Sequence, residues 1–493
     1  MTTPVEGQLG VLEGAGLIEL LETDPELEYL FRHVLIQDAA YDSLLRTDRR
    51  RLHRLVGETL EQRYPDRRDE LAPVLGLHFE QAGDRDRAVE YLVLAGDSAH
   101  QRFANTEARG FYGRAATLMA DAGSEPEAIR KRVEIGLRRE EASLGYFPTE
   151  VNLALIDSFR ADAEVLGDST LLARLHVMIA VERAMRGEQL ATSEELRHAL
   201  EQGLSFAEAS GDPEALAYAR VMLGEAKFMA ADYEEAVALL EEAVPALKAA
   251  GHLSAAGHHG GSLASAHAQL GAFGRAHEWI ERSDELARRS GDPLAISDVG
   301  IARGMIAALE GDPAKAIAYA SEAAATADAV DNFACAIVAR ALVGDQCLLI
   351  GDAGRAIPVL EQAAELAQTS GMVPEFGAFT NVLLDSARAQ LTRTSPTLDR
   401  YARALQLVRA SHDRLKEAEL LRQRARDRMA AGHETDLALA DFAASEAIFD
   451  RLGARPSLAQ TLQEHGETLR RFGRSEEARP HLDRAAALLA EMG

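Results

Sequence analysis

Small and apolar residues return along this chain at intervals of forty. The segments AADYEEAVALLEEAVPAL, LGAFGRAHEWIERSDEL, EGDPAKAIAYASEAAAT and IGDAGRAIPVLEQAAEL begin at Ala230, Leu270, Glu310 and Ile350. Ala236, Ala276, Ala316 and Ala356 hold one position of this frame, and Ala243, Ser283, Ala323 and Ala363 hold another seven residues on. Seven residues are close to two helical turns, so both positions share a face where a neighbouring helix can come near. Gly211, Gly251, Gly291 and Gly371 mark a loop of the same frame, with Asp331 where glycine is due. SGDP at Ser210 and again at Ser290 reads as an Asp N-cap with Pro at the first helical position. The pattern predicts helix, tight turn, helix and loop, repeated.

The small-residue signature recurs outside the strict block, at Ala88, Leu92 and Ala95, at Ala108, Tyr112 and Ala115, at Ala440, Ala444 and Ala447, and at Ala478, Leu482 and Ala485. The stretches 125–210 and 373–412 fit helical hairpins more loosely. This arrangement resembles the tetratricopeptide-repeat family, in a form with longer helices than usual. The resemblance implies an all-α solenoid of about eleven hairpins from Leu71 onward. Such hairpins bury their faces against neighbours and leave an open, curved groove. A protein or peptide segment is the expected occupant, or a small effector.

The head of the chain reads differently. LGVLEGAGLIELLETDPELEYLFRH predicts a short helix to Gly14–Gly16, a strand, a turn at Thr23–Glu26 and a second strand. VLIQDAAYDSLL then places Val34, Leu35, Ala39, Tyr41, Leu44 and Leu45 at helical spacing, and an Arg-rich helix follows. FRHVLIQDAAYDSLL, that Arg-rich helix and LAPVLGLHFEQAGDRDRAVEYLVLAGDSA occur in one order. Together they resemble the region after the nucleotide-binding domain in signal-transduction ATPases with numerous domains, above all members linked to class III adenylate or guanylate cyclases or to transcriptional regulators. The resemblance implies a truncated winged-helix remnant and connector over 1–70, a repeat solenoid over 71–493, and an ATPase or cyclase domain as partner at the connector. It also implies a relay role for Phe31, Arg32, His33, Tyr41, Leu44 and Leu45, with His33 ordering the junction.

The family's phosphate-binding GxxxxGK[ST] loop is missing. None of the five lysines, Lys131, Lys227, Lys248, Lys315 and Lys416, follows a glycine. The chain is therefore expected to correspond to the regulatory arm alone, a natural product or a fragment of a longer protein, without the ATPase catalytic part.

Composition narrows the chemistry. Only 5% of residues are aromatic, which gives a sheet little to pack, while Ala, Leu, Glu and Arg favour helix. A formal charge of −26 argues against nucleic acid as partner. The Arg-rich stretches 46–54 and 400–428 are interleaved with acids, as on a solvated, ion-paired helix face. No apolar run reaches membrane-spanning length and the first residues lack a signal-peptide pattern, so the cytoplasm is the expected location. Cys335 and Cys347 fall in one predicted helix about 18 Å apart, too far for a disulfide. No Ser-centred elbow, CxxC pair or HExxH helix appears, so neither catalysis nor a cofactor is expected.

One local patch stands out, GHLSAAGHHGGSLASAH from Gly251 to His267. His252, His259 and His267 align roughly along a helix but lie about 10–12 Å apart in succession, too far to share a metal without help from a residue such as His277. They are read as surface or packing residues, with groove contact as the alternative, and no metal is assigned. Gly260 and Gly261 each weaken that helix by about 1 kcal/mol, and mark either a hinge or a close approach of two helices.

Overall fold

The computed structural model describes residues 5–22, 28–143, 149–186, 188, 190, 193–370, 374–394, 399–431 and 435–492. The turn expected at Thr23–Glu26 and the loop glycine Gly371 lie outside these. Two compact units are present, Met1–Ala122 and Gly123–Gly493. The first holds α1 (Val5–Gly14), β1 (Ile18–Glu22), β2 (Glu28–Phe31), α2 (Val34–Asp42), α3 (Arg46–Arg63), α4 (Arg68–Ala82), α5 (Arg85–Gln101) and α6 (Asn105–Met119). The strands pair antiparallel, Ile18 opposite Phe31 and Leu20 opposite Tyr29.

The second unit runs α7 (Pro126–Glu141), α8 (Thr149–Leu166), α9 (Ser169–Met185), α10 (Glu194–Ser210), α11 (Pro213–Met229), α12 (Tyr233–Ala249), α13 (Leu253–Gln269), α14 (Phe273–Ser290) and α15 (Pro293–Leu309). It continues with α16 (Pro313–Asp328), α17 (Phe333–Leu349), α18 (Ala353–Ser370), α19 (Pro374–Thr392), α20 (Asp399–Ala410), α21 (Arg414–Ala431), α22 (Thr435–Arg451), α23 (Arg455–Arg471) and α24 (Ser475–Met492). The fold is the all-α, tetratricopeptide-like hairpin solenoid. Taken in consecutive pairs the described helices give nine hairpins in the second unit, while the first has α4–α5 and then α6 alone.

The frame of forty is structural. Helices α11, α13, α15 and α17 begin at Pro213, Leu253, Pro293 and Phe333. Ala236, Ala276, Ala316 and Ala356 are all fully buried, as their position demands. The SGDP motifs cap as expected: the Asp212 carboxylate accepts from the Glu214 amide and Asp292 from the Leu294 amide, both at 2.9 Å. Asp331 takes φ +54°, so it supplies the left-handed turn that Gly251 and Gly291 supply in their repeats. Of the two readings of the glycines, close approach holds at Gly260: a Cβ there would lie against the Ser283 hydroxyl of α14. Gly257 is as tight, since its Cβ would fall 2.8 Å from the Ala287 amide nitrogen.

One register in the sequence pattern is wrong. Ala440, Ala444 and Ala447 are exposed on α22, and the buried face carries Ala438, Phe442, Ser445 and Phe449. Alanine tolerates either face, whereas two phenylalanines gain far more from burial and decide the rotation.

The expectation of an open curve also changes. Within the second unit the solenoid returns on itself, and α23 lies against α13. Ala231, Tyr233 and Ala266 from the middle repeats share one apolar cluster with Tyr401, Leu405, Leu421, Phe449, Leu458 and Leu462. The Gln460 side chain donates to the Ala308 and Leu309 carbonyls at the end of α15, at 3.4 and 3.3 Å. The Ala308 carbonyl also accepts from the Gly311 amide at 3.1 Å, so the new contact adds to the helix cap there and meets the Leu309 carbonyl at the very end of the helix.

Candidate functional site

Two surfaces stand out, one in each unit. In the first, the connector leaves its apolar residues in water. Helix α2 buries none of its residues, and Val34, Leu35, Leu45 and Leu55 are 65%, 76%, 70% and 58% exposed. Exposure ends along α3: Gly57 packs on the Phe79 ring, and Arg87 joins Glu58 and Glu61 at 3.0 and 3.2 Å. So the C-terminal half of α3 is tied to the first repeat while α2 and the start of α3 face outward.

The expected relay residues fall on this outward part. Phe31 closes the hairpin and is exposed; the Arg32 amide donates to the Leu17 carbonyl, and its guanidinium pairs with Glu19 at 3.6 Å. His33 is the N-cap residue of α2 without a side-chain cap bond, so it marks the strand-to-helix junction by backbone conformation. Leu44 is half-buried and its carbonyl accepts from Arg49; Leu45 starts α3 and is exposed. Tyr41 is the one with a path inward. Its hydroxyl lies 3.1 Å from His53 Nε2, and His53 Nδ1 lies 2.9 Å from His78 Nδ1 on α4. Burial holds both imidazoles below the usual histidine range, and for His78 the neighbouring His53 adds to it. Sequence reading missed His53, which sits in the Arg-rich helix of the connector, and His78, which sits in the first repeat.

In the second unit the closed turn carries charge on its inner side. Lys416, Glu419, Arg422 and Arg426 line α21, facing Asp345 of α17 and Gln460 and Glu464 of α23. Arg426 grips Glu464 in a two-bond fork at 2.7 and 2.6 Å. Burial pushes the Glu464 carboxyl up, but Arg426 outweighs it and holds the group below the usual range. Arg422 has no such partner: its guanidinium donates to Gln460 Oε1 at 3.2 Å and lies over the Phe449 ring, and no ion pair to it occurs among the described residues. Burial, then the nearby Arg426, lower its pKa. Among the described residues Asp345 accepts from its neighbour Gln346 alone, and burial raises its carboxyl. Yet Lys416, Arg426 and Glu464 stay 19%, 21% and 29% exposed, so water reaches a set of charges that protein surrounds.

The histidine patch resolves into separate pairs. His252 Nε2 lies 2.8 Å from Glu214, His259 Nδ1 lies 2.7 Å from Glu225, and His267 Nε2 lies 3.2 Å from Glu241. Each has its own carboxylate, so the three do not act as one site; His277 is likewise taken by Glu310. His258, not singled out from the sequence, pairs with Asp298 at 2.5 Å, and Asp298 also accepts from the Cys335 thiol at 3.0 Å. Burial alone would lower His258, but Asp298 overrides it and lifts the imidazole to about 9. Both cysteines are buried and free.

One signal in the sequence does point inward. Glu225, Ser265, Met305 and Asp345 hold a single position of the frame, two of them carboxylates, one a hydroxyl and one a thioether. A packing position keeps its type from repeat to repeat; a position that varies is free to select a ligand.

No helix among the described residues is long and apolar enough to cross a membrane. No family model matches the chain, and no curated protein matches its sequence. Solved structures superpose on it to differing degrees. A Rap protein complexed with Competence and Sporulation Factor superposes with TM-score 0.57 at 12% identity, over 73% of this chain and 98% of that one. The apo quorum sensor NprR from B. thuringiensis gives 0.47 at 12%, over 73% and 99%. The signal-transduction ATPase with a tetratricopeptide repeat sensor from Pyrococcus horikoshii gives 0.38 at 15%, over 97% of this chain and 61% of that one. The first of these likenesses shows that the chain has the helical-repeat fold of the Rap protein.

Proposed function

We propose that this chain is a non-enzymatic interaction and sensing scaffold that binds a carboxylate-bearing peptide or protein segment inside the closed turn of its second unit. The observation that carries the reading is Arg422, a guanidinium enclosed by protein that bonds Gln460 and makes no direct ion pair among the described residues, although Glu464, Asp345 and Glu419 lie near it. A largely enclosed guanidinium that lacks a direct ion pair keeps bonding capacity for an incoming carboxylate, and a charge-assisted bond there is among the strong ones. Asp345 beside it offers the complementary acceptor for a peptide N–H or ammonium. The Rap protein of like fold, solved with a bound factor, supports the reading.

Selection of a random peptide library on the full chain tests it. Enriched peptides should carry an acidic side chain or a free C-terminus, and Arg422→Ala should weaken their binding by roughly 10- to 100-fold, the loss of a charge-assisted hydrogen bond. Enrichment of no peptide, or affinity untouched in Arg422→Ala, overturns the assignment.

A second reading rests on the connector. Its exposed apolar residues, with the order of blocks seen in signal-transduction ATPases, support docking against a nucleotide-binding ATPase or cyclase domain, either on a separate chain or in a longer protein of which this is the regulatory arm. Affinity capture from the native cell, with Leu35→Asp as control, checks it: an ATPase or cyclase held by the wild type and lost in the variant supports docking, and equal recovery by both refutes it.

A further inference from the structure

The last three helices hold a cluster that neither the groove nor the connector uses. Glu446 of α22, His465 of α23 and His481 of α24 bring one ligand atom each within 4.8 Å of the others. Glu446 Oε1 lies 2.7 Å from His465 Nδ1 and 3.2 Å from His481 Nδ1, so one carboxylate oxygen stands between two imidazoles. The rings are 4.1 Å apart between centroids, and the Phe442 ring stacks on His465 and fixes its orientation.

We propose that Glu446, His465 and His481 form a binding site for a divalent transition-metal ion of the zinc class. Two imidazole nitrogens and a carboxylate oxygen are a recurrent three-ligand set for this ion. Ligand atoms about 2.0–2.2 Å from a tetrahedral ion stand about 3.3 Å from one another, so the observed 2.7 and 3.2 Å need only a small opening. Each neutral imidazole carries its proton on Nε2 in the bound form and presents the Nδ1 lone pair. Burial is graded in the right sense: His465 and Glu446 are 7% and 12% exposed, while His481 at 25% leaves one side open for water as a fourth ligand.

The other grouping of this kind, Glu225 with His258 and His259, is less suited. Its two histidines are consecutive on α13 and so point about 100° apart around the helix axis. The Nδ1 of His258 is also already bound to Asp298. At the C-terminal cluster the three ligands come from three different helices and converge. An ion there would pin α22, α23 and α24 together, and α23 is the helix whose Gln460 reaches the end of α15 to close the turn. The metal site would thus brace the closure without entering the groove.

The test uses the metal alone on the full chain, stripped of metal beforehand. Titration with Co2+ should load one ion per chain and give the intense visible absorption of four-coordinate cobalt, and Zn2+ should displace it. His481→Gln, a half-exposed position that spares the core, should weaken binding by at least about 10-fold, as should Glu446→Gln. His258→Gln should leave the spectrum and affinity unchanged. Absence of binding by the wild type, full affinity in His481→Gln, or loss only in His258→Gln each overturns the proposal. Helical circular dichroism of the metal-free variants, matched to wild type, shows that a loss of binding is not a loss of fold.

Discussion

The strict repeats and the connector treat apolar surface in opposite ways. Between Pro213 and Ser370 each hairpin covers its neighbour, so that Ala236, Leu240, Ala264 and Leu360 are wholly buried. In the connector, Leu35 and Leu45 remain 76% and 70% exposed. Both regions are amphipathic helix by sequence. A repeat has a neighbour of its own kind on each side, whereas the outward half of the connector is covered by nothing among the described residues. The comparison teaches that an apolar stripe specifies a helix, and that a second surface must be present before the stripe contributes stability.

The largest effect that separates the two regions is expected in the closing cluster. Phe449→Ala removes a fully buried ring that joins the last hairpins to the middle ones, and should cost about 3–5 kcal/mol. Urea unfolding would show this as an early loss of the C-terminal helices; an unchanged profile would mean that closure does not hold them. Next comes Gly257→Val, which forces side-chain atoms onto the Ala287 backbone and should cost about 1–3 kcal/mol in the same assay. A neutral result there would show that α13 and α14 part easily.

A third expectation concerns pH. Glu140 and Glu182 are buried together beside Asn152, whose Nδ2 donates to Glu182 at 2.8 Å. Burial raises both carboxyls, Glu182 to about 7. The folded state therefore holds protons that the unfolded chain releases. The stabilisation is complete below the ordinary value of 4.5 and is lost as pH rises through about 7. Glu182→Gln should flatten that decline, read as melting temperature between pH 5 and pH 8, and a slope identical to wild type would discount the pair. The smallest effect belongs to the connector: Leu35→Ser should shift stability by less than about 0.5 kcal/mol, since nothing it covers is lost. A large drop would mean that α2 packs more firmly than its exposure indicates.

Much of the fold was legible, and the reason is local. Proline and aspartate at the start of α11 and α15, left-handed glycines at the turns and small residues at fixed intervals all act within one or two hairpins. Asp331 shows the strength of that frame, because the turn forms there without glycine. Where the local signal was ambiguous the reading slipped: the alanines of α22 fit either face, and only Phe442 and Phe449 settled which face turns inward. The candidate site was far less legible. Arg422 sits in a run of mixed charges that reads as a solvated face, and nothing near it in sequence says that Glu464, Gln460 and Asp345 surround it. His465 and His481 look unremarkable alone, since their shared partner Glu446 is on another helix.

The sequence by itself determined the helices, their caps and the stacking of each hairpin on the next, because those choices are made by backbone propensity and contacts between residues fewer than about fifty apart. The tertiary structure alone decided that the second unit closes on itself and that charges from α17, α21 and α23 face one another. Each hairpin adds a small rotation set by the packing of its side chains. Only the sum over many hairpins fixes where the chain meets itself, and no single repeat encodes that sum.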